Sequence, residues 1–226
     1  MNKVLAGGGA AVAVIAVGVA IIAAQPGTLH VERSATIAAK PAIVFSYAND
    51  FSNWEAWSPW RDVDPDQKVQ ISPTSSGVGA WTTWEGDENV GKGKMTITES
   101  TPHLLVKQQI DFVEPWESTA VATIAIEPID EGSRVTWSFD SPQDFTAKAM
   151  GLFMGMNDLI GADFDKGLAR LKSVAEEQAA EDAKLQAAEE AKRKTLEDAA
   201  TKALEDAFRD ALSKEGAEVE VETVDW

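Results

Sequence analysis

The sequence predicts an α+β fold, an antiparallel sheet of about seven strands closed by a long helix. Three observations predict it. Between Leu29 and Asp140, segments that alternate apolar and polar residues follow one another, punctuated by Gly, Pro, Asn and Asp. Between the first and second of these segments stands a stretch with helix-start signals and three tryptophans, NWEAWSPW at residues 53–60. After the last, apolar residues from Thr146 to Val174 recur at helical spacing.

Taken in order, Leu29–Ile37 reads as the first strand. Pro41 opens a short helix, Ala42–Tyr47, because proline suits a first helical turn. Asp50–Trp57 reads as a second short helix or turn, ended by Ser58-Pro59. Strands are then expected at Lys68–Ser72, Gly79–Glu85, Lys92–Ser100, Leu104–Val113, Ser118–Glu127 and Ser133–Asp140. Their alternation names one face. Met95 and Ile97, then Val106, Ile110 and Phe112, then Ala122, Ile124 and Ile126, then Val135, Trp137 and Phe139 each share a side, with Gln108 interrupting the second set. Such a sheet has one wet and one buried face. Met150, Phe153, Met154, Leu159, Ile160, Phe164, Leu168 and Leu171 form the apolar stripe of the covering helix.

The chain ends differ from this middle. Val4–Ala24 is 21 residues without a charge. That length spans about 30 Å of hydrocarbon as a helix. Residues 1–27 are therefore expected to be an uncleaved single-pass anchor, the rival being a cleaved secretory signal. Lys3 ahead of the segment places the N-terminus inside and the domain, 28–174, on the exoplasmic side. Residues 175–226 form an acidic, Ala- and Glu-rich tail, helical until Gly216 and disordered at its end. Leu196, Ala200, Leu204, Phe208 and Leu212 step along it by four, a narrow stripe that a protein partner could cover.

Charge and composition exclude some functions. A net charge of −17 argues against nucleic acid, whose phosphates require Lys and Arg clusters. With no cysteine there is no disulfide, thiolate metal site or Cys nucleophile. The two histidines, His30 and His103, sit just past the apolar segment and in a Pro-His turn, neither on an inward face. No cluster has metal-ligand spacing, no glycine run forms a phosphate loop, and no cofactor is expected.

Four stretches together carry a family likeness: VERSATIAAKPAIVFSYANDFSNWEAWSPW, GVGAWTTWEGDENVGKGKMTITES, GSRVTWSF and MGLFMGMNDLIGADFDKGLARLK. They resemble the polyketide cyclase/dehydrase branch of the SRPBCC superfamily over about Leu29–Val174. That superfamily includes START lipid-transfer domains and the birch pollen allergen. The resemblance implies a helix-grip fold, in which a curved sheet grips the C-terminal helix around a hydrophobic cavity. It implies no single chemistry, because function sits in the cavity residues.

The cavity residues expected on these grounds are Trp57, Trp60, Trp84, Gln108, Phe112, Trp137, Phe153, Met154 and Asn157. Trp57 and Trp60 stand, by the resemblance, at one rim. Two readings of their cluster stay open, packing alone and packing with ligand contact. The leading functional reading is a membrane-anchored domain that binds a small hydrophobic or amphipathic, lipid-like ligand. The alternatives are a cyclase- or dehydratase-like enzyme on a hydrophobic substrate, and an interaction protein that works through its tail.

Overall fold

The computed structural model describes residues 15–219, and of 152–154 and 215–219 the backbone alone. Seven strands make one antiparallel sheet: β1 (Thr28–Ile37), β2 (Lys68–Ile71), β3 (Trp81–Glu85), β4 (Lys92–Thr101), β5 (Leu105–Glu114), β6 (Ser118–Ile129) and β7 (Gly132–Pro142). Their order is β1-β7-β6-β5-β4-β3-β2, so the hairpins from β2 to β7 are sequential and β1 returns to pair with β7. Register runs from Thr28 opposite Pro142 to Ile37 opposite Ser133. On β4 the pairing with β5 shifts at Lys92/Gly93 and at Ile97/Glu99. Such irregularities bend and twist a strand, which curves the sheet.

Between β1 and β2 lie α1 (Pro41–Ala48) and two 3-10 turns, Phe51–Ala56 and Pro59–Asp62. Pro41 occupies the first turn of α1, where a missing N–H costs nothing. Asp50 caps the first 3-10 turn by accepting from the Ser52 N–H at 2.9 Å.

The covering helix is not continuous. Where one helix is expected over Thr146–Val174, the chain forms α2 (Phe145–Met154) and α3 (Met156–Val219). Gly155 separates them with φ 62°, a left-handed conformation that ends a helix and that glycine reaches without Cβ strain. Asp144 caps α2 by accepting from the Ala147 N–H at 2.8 Å. The apolar periodicity passes through this break, because it reports which side is buried and not whether the axis is continuous.

Contacts divide the chain into two compact units, Met1–Ala179 and Ala180–Trp226. In the first, the core holds Val31, Ile37, Val44, Phe51, Trp57, Ile97, Val106, Ile124, Val135, Trp137, Phe164, Leu168 and Leu171, between the inner sheet face and α1 and α3. The expected domain end at Val174 falls short of this core. Ala175 is fully buried, and Glu176 accepts from the Ala38 N–H at 2.8 Å.

In the second unit α3 continues through Gly216 to Val219, past the expected stop. A single helical glycine costs only about 1 kcal/mol against alanine. Leu185, Leu196, Leu204, Phe208 and Leu212 are exposed there. Lys184–Glu181, Arg193–Glu197 and Lys214–Asp210 pair along the helix.

The expected anchor at 4–24 lies largely outside the described residues; its described part is helical over 15–23, with Ile15, Val17, Val19 and Ile21 exposed. Among the described residues no helix is long and apolar enough to cross a membrane.

Candidate functional site

Two of the three clustered tryptophans, Trp54 and Trp57, are explained first by α1. A helix leaves its last carbonyls without partners. The segment that follows α1 supplies them from side chains. Asn53 donates to the Ser46 carbonyl at 3.0 Å, Trp57 to Tyr47 at 3.2 Å and Trp54 to Ala48 at 3.2 Å. The rings, so fixed, surround Trp137 of β7. Trp57 and Trp60 meet it edge-on at 5.2 and 5.8 Å between centroids, and Trp54 at 6.3 Å. Phe164 of α3 stacks on it at 4.0 Å with the planes 4° apart. The NWEAWSPW segment thus fills one end of the space between sheet and helix.

Ion pairs tie that segment to α3. Asp62 receives Lys166 at 3.1 Å and Arg170 in a short contact, and Arg170 also donates to the Ser58 carbonyl at 3.0 Å. Arg170 and then Lys166 hold the Asp62 carboxyl below the usual carboxylate range. Asp163, beside them on α3, goes the other way. Burial pushes its carboxyl up, against an opposing hydrogen bond from the Trp60 side chain.

The other end of the inner face is open. Residues paired across an antiparallel sheet share a face, so the pairings Val69–Trp84, Trp84–Gly93, Gly93–Phe112 and Ile71–Thr82 put all of these on the inner side. The Trp84 ring lies over Gly93, whose missing Cβ makes room for it, and meets Phe112 edge-on at 5.9 Å. Its indole N–H donates to the Val90 carbonyl at 3.3 Å. Here burial fails. Val69 is 54% exposed and Ile71 39%, while Trp84 and Phe112 are only half-buried. Along β5 exposure falls inward from Phe112 through Ile110 at 7% to Gln108 at 0%.

The expected site residues therefore fall into two groups. Trp57, Trp60 and Trp137 belong to the closed aromatic cluster. Trp84 and Phe112 stand at the open end, and Gln108 lies further in along β5, fully buried. Asn157 is exposed and donates to the His30 carbonyl at 3.3 Å, which ties the start of α3 to β1. The side chains of Phe153 and Met154 lie outside the described residues. Sequence reasoning missed Val69 and Ile71. They alternate with Lys68 and Gln70, but on a strand of four residues that alternation was too short to be counted as a face, and the strand is exposed along its whole length.

Titratable groups are sparse on this face. Arg33 stands there opposite Trp137, but its Nε donates to Asp165 at 3.2 Å and its Nη1 to the Glu32 carbonyl at 2.8 Å. His30 is exposed and bonds Asp140 at 2.7 Å through Nδ1, and His103 packs its ring against Phe45. Among the described residues no group of three His, Asp or Glu is placed to hold a metal ion.

The family model for polyketide cyclase/dehydrase and lipid transport matches residues 28–176. The chain belongs to this family. Solved structures agree on the fold of this polyketide cyclase/dehydrase domain. The di-domain ARO/CYC StfQ from the steffimycin biosynthetic pathway superposes with a TM-score of 0.53 at 12% identity, over 68% of this chain and 52% of that one. A protein of unknown function from Staphylococcus aureus, SA2116, gives 0.51 at 11% identity, over 67% and 95%. No curated protein matches the sequence. At these identities the likeness establishes the helix-grip architecture, and the site must be read from its own residues.

Proposed function

We propose that this domain binds a small hydrophobic or amphipathic ligand against the inner face of the sheet, entering at the end marked by Trp84 and Phe112. The observation that carries this reading is the bared apolar surface there. Val69 and Ile71 point to the side a sheet normally buries, yet stay 54% and 39% exposed beside two half-buried aromatic rings. An apolar face left unburied beside a packed core is costly unless something covers it. Carriage or sensing fits better than catalysis. Proton transfer needs a titratable side chain within reach, and the inner face offers Arg33, already engaged by Asp165.

The apolar segment at 4–24 fits a tether or export signal that places the domain on the exoplasmic face of a membrane, where the open end could meet lipid. The test is native mass spectrometry of the full chain from a lipid-containing host, with identification of whatever mass remains bound. A defined companion that Trp84→Ala and Phe112→Ala release supports the reading. A bare chain whose Trp fluorescence ignores a panel of lipids and polyketides overturns it.

A further inference from the structure

Gln108 is fully buried at the centre of the inner sheet face, and neither its Oε1 nor its Nε2 has a hydrogen-bond partner among the described residues. Its surroundings explain why. Across the neighbouring strands it faces Ile97 and Ala122, and along β5 it lies between Val106 and Ile110, all apolar. The Trp137 indole N–H is also without a partner atom, but the edge-on Trp rings around it offer π faces. Neither residue paired with Gln108 across the sheet is aromatic. A buried carboxamide with nothing to bond is among the more destabilising arrangements a core can hold. A leucine there would fill the same space without that cost.

We propose that Gln108 reads the polar end of the ligand, and that this end is neutral, with a donor and an acceptor side by side, as in an amide, a lactam or a hydroxyketone. The inference rests on the ligand site proposed above. A carboxamide presents an acceptor and a donor on one edge, and its complement carries the same pair reversed. A carboxylate or phosphate matches poorly. It would turn lone pairs toward Oε1 and enter an apolar site where Arg33 is already spent on Asp165. The depth of Gln108 below the open end sets the length of the apolar body. Gln108 lies four residues inward from half-buried Phe112, roughly 13 Å along a strand, with the less buried Met95 and Phe139 on either side. The ligand is therefore an uncharged, elongated apolar molecule that inserts its polar end first.

Titration of the full chain with decanamide and with decanoate at pH 8, followed by Trp fluorescence, tests this. Wild type is expected to prefer the amide at least tenfold. Gln108→Leu and Gln108→Met should bring the two affinities within about twofold, and both should melt above wild type when no ligand is added. Equal affinity of wild type for amide and carboxylate overturns the head-group assignment while the apolar site stands. Lower melting of both variants overturns it too, since the carboxamide would then be held by the fold. If neither probe binds, the ligand site itself fails and takes the inference with it.

Discussion

Trp137 of β7 and Phe164 of α3 lie face to face, their centroids 4.0 Å apart and their planes within 4°. This stack packs the covering helix onto the sheet at its closed end, and three tryptophan rings from the 54–60 segment close around it. Phe164→Ala removes the stacked ring from a site that is 2% exposed. The expected loss is about 3–5 kcal/mol, the usual range for deleting a buried phenyl group. Phe164→Leu should lose less, because it keeps most of the volume. Urea unfolding with the midpoint read by Trp fluorescence measures both. Equal, small losses would mean that the stack is not what holds α3 to the sheet.

The neighbouring ion pairs give a pH dependence with a definite sign. Asp62 has its carboxyl lowered by Arg170 and Lys166. A carboxylate depressed on folding adds stability above its unfolded value, about 3.9, and that stability is lost as pH falls through the lower folded value. Asp62→Asn should therefore melt below wild type at pH 7, and the gap should begin to narrow once the pH drops under about 4. Melting curves taken from pH 7 to pH 3 decide it. A gap as wide at pH 3 as at pH 7 would assign the effect to geometry and not to charge.

Asp163 predicts the reverse. Burial raises its carboxyl, outweighing the hydrogen bond from Trp60. A carboxyl raised on folding opposes folding while ionised, and the opposition fades as pH falls through the raised value. Asp163→Asn keeps an acceptor for Trp60 and removes the charge. It should melt above wild type at pH 7 and match it in acid. The same set of melting curves reads this, and a variant less stable at every pH would show that the hydrogen bond matters more than the charge.

Much of this was legible in the residues. Alternation placed Ile97, Val106, Ile110, Ala122, Ile124, Val135 and Trp137 on one face, because a half-buried strand must separate its sides. Gln108 stood out for the same reason, as a polar residue in an apolar row. What the pattern did not carry was the third dimension. Trp57 and Trp84 look alike in sequence, yet one is fully buried against Trp137 and the other lies half-open beside Phe112. Only the strand order decides which end of the face the helix covers. The break at Gly155 was hidden because apolar spacing continues on both sides of it.

That break can be probed directly. Gly155 holds φ 62°, and a Cβ there would have no atom within 4 Å. The only obstacle to another residue is therefore backbone strain. Gly155→Ala should cost roughly 1 kcal/mol, and Gly155→Asn less, since asparagine tolerates the left-handed region. If Ala is accepted freely, α2 and α3 can adopt another junction, and amide exchange around residues 150–158 would show it.

The end of the domain is the last point where residues decide. Apolar spacing ended it at Val174, but Ala175 is fully buried, Glu176 bonds the Ala38 N–H, and Ala179 packs against the core. Lys172 pairs with Glu176 at 2.9 Å and donates to the Thr36 carbonyl at 2.7 Å, so this helical turn fastens the end of β1. Lys172 and then the Ala38 N–H lower the Glu176 carboxyl. A chain cut after Val174 loses the buried methyl and the carboxylate together. It should unfold at clearly lower urea than the uncut chain. A chain cut after Ala179 keeps both and ends where the first compact unit ends, so its unfolding midpoint should match that of the uncut chain. If the two truncated chains unfold alike, Ala175 and Glu176 add nothing, and the domain ends where its apolar stripe does.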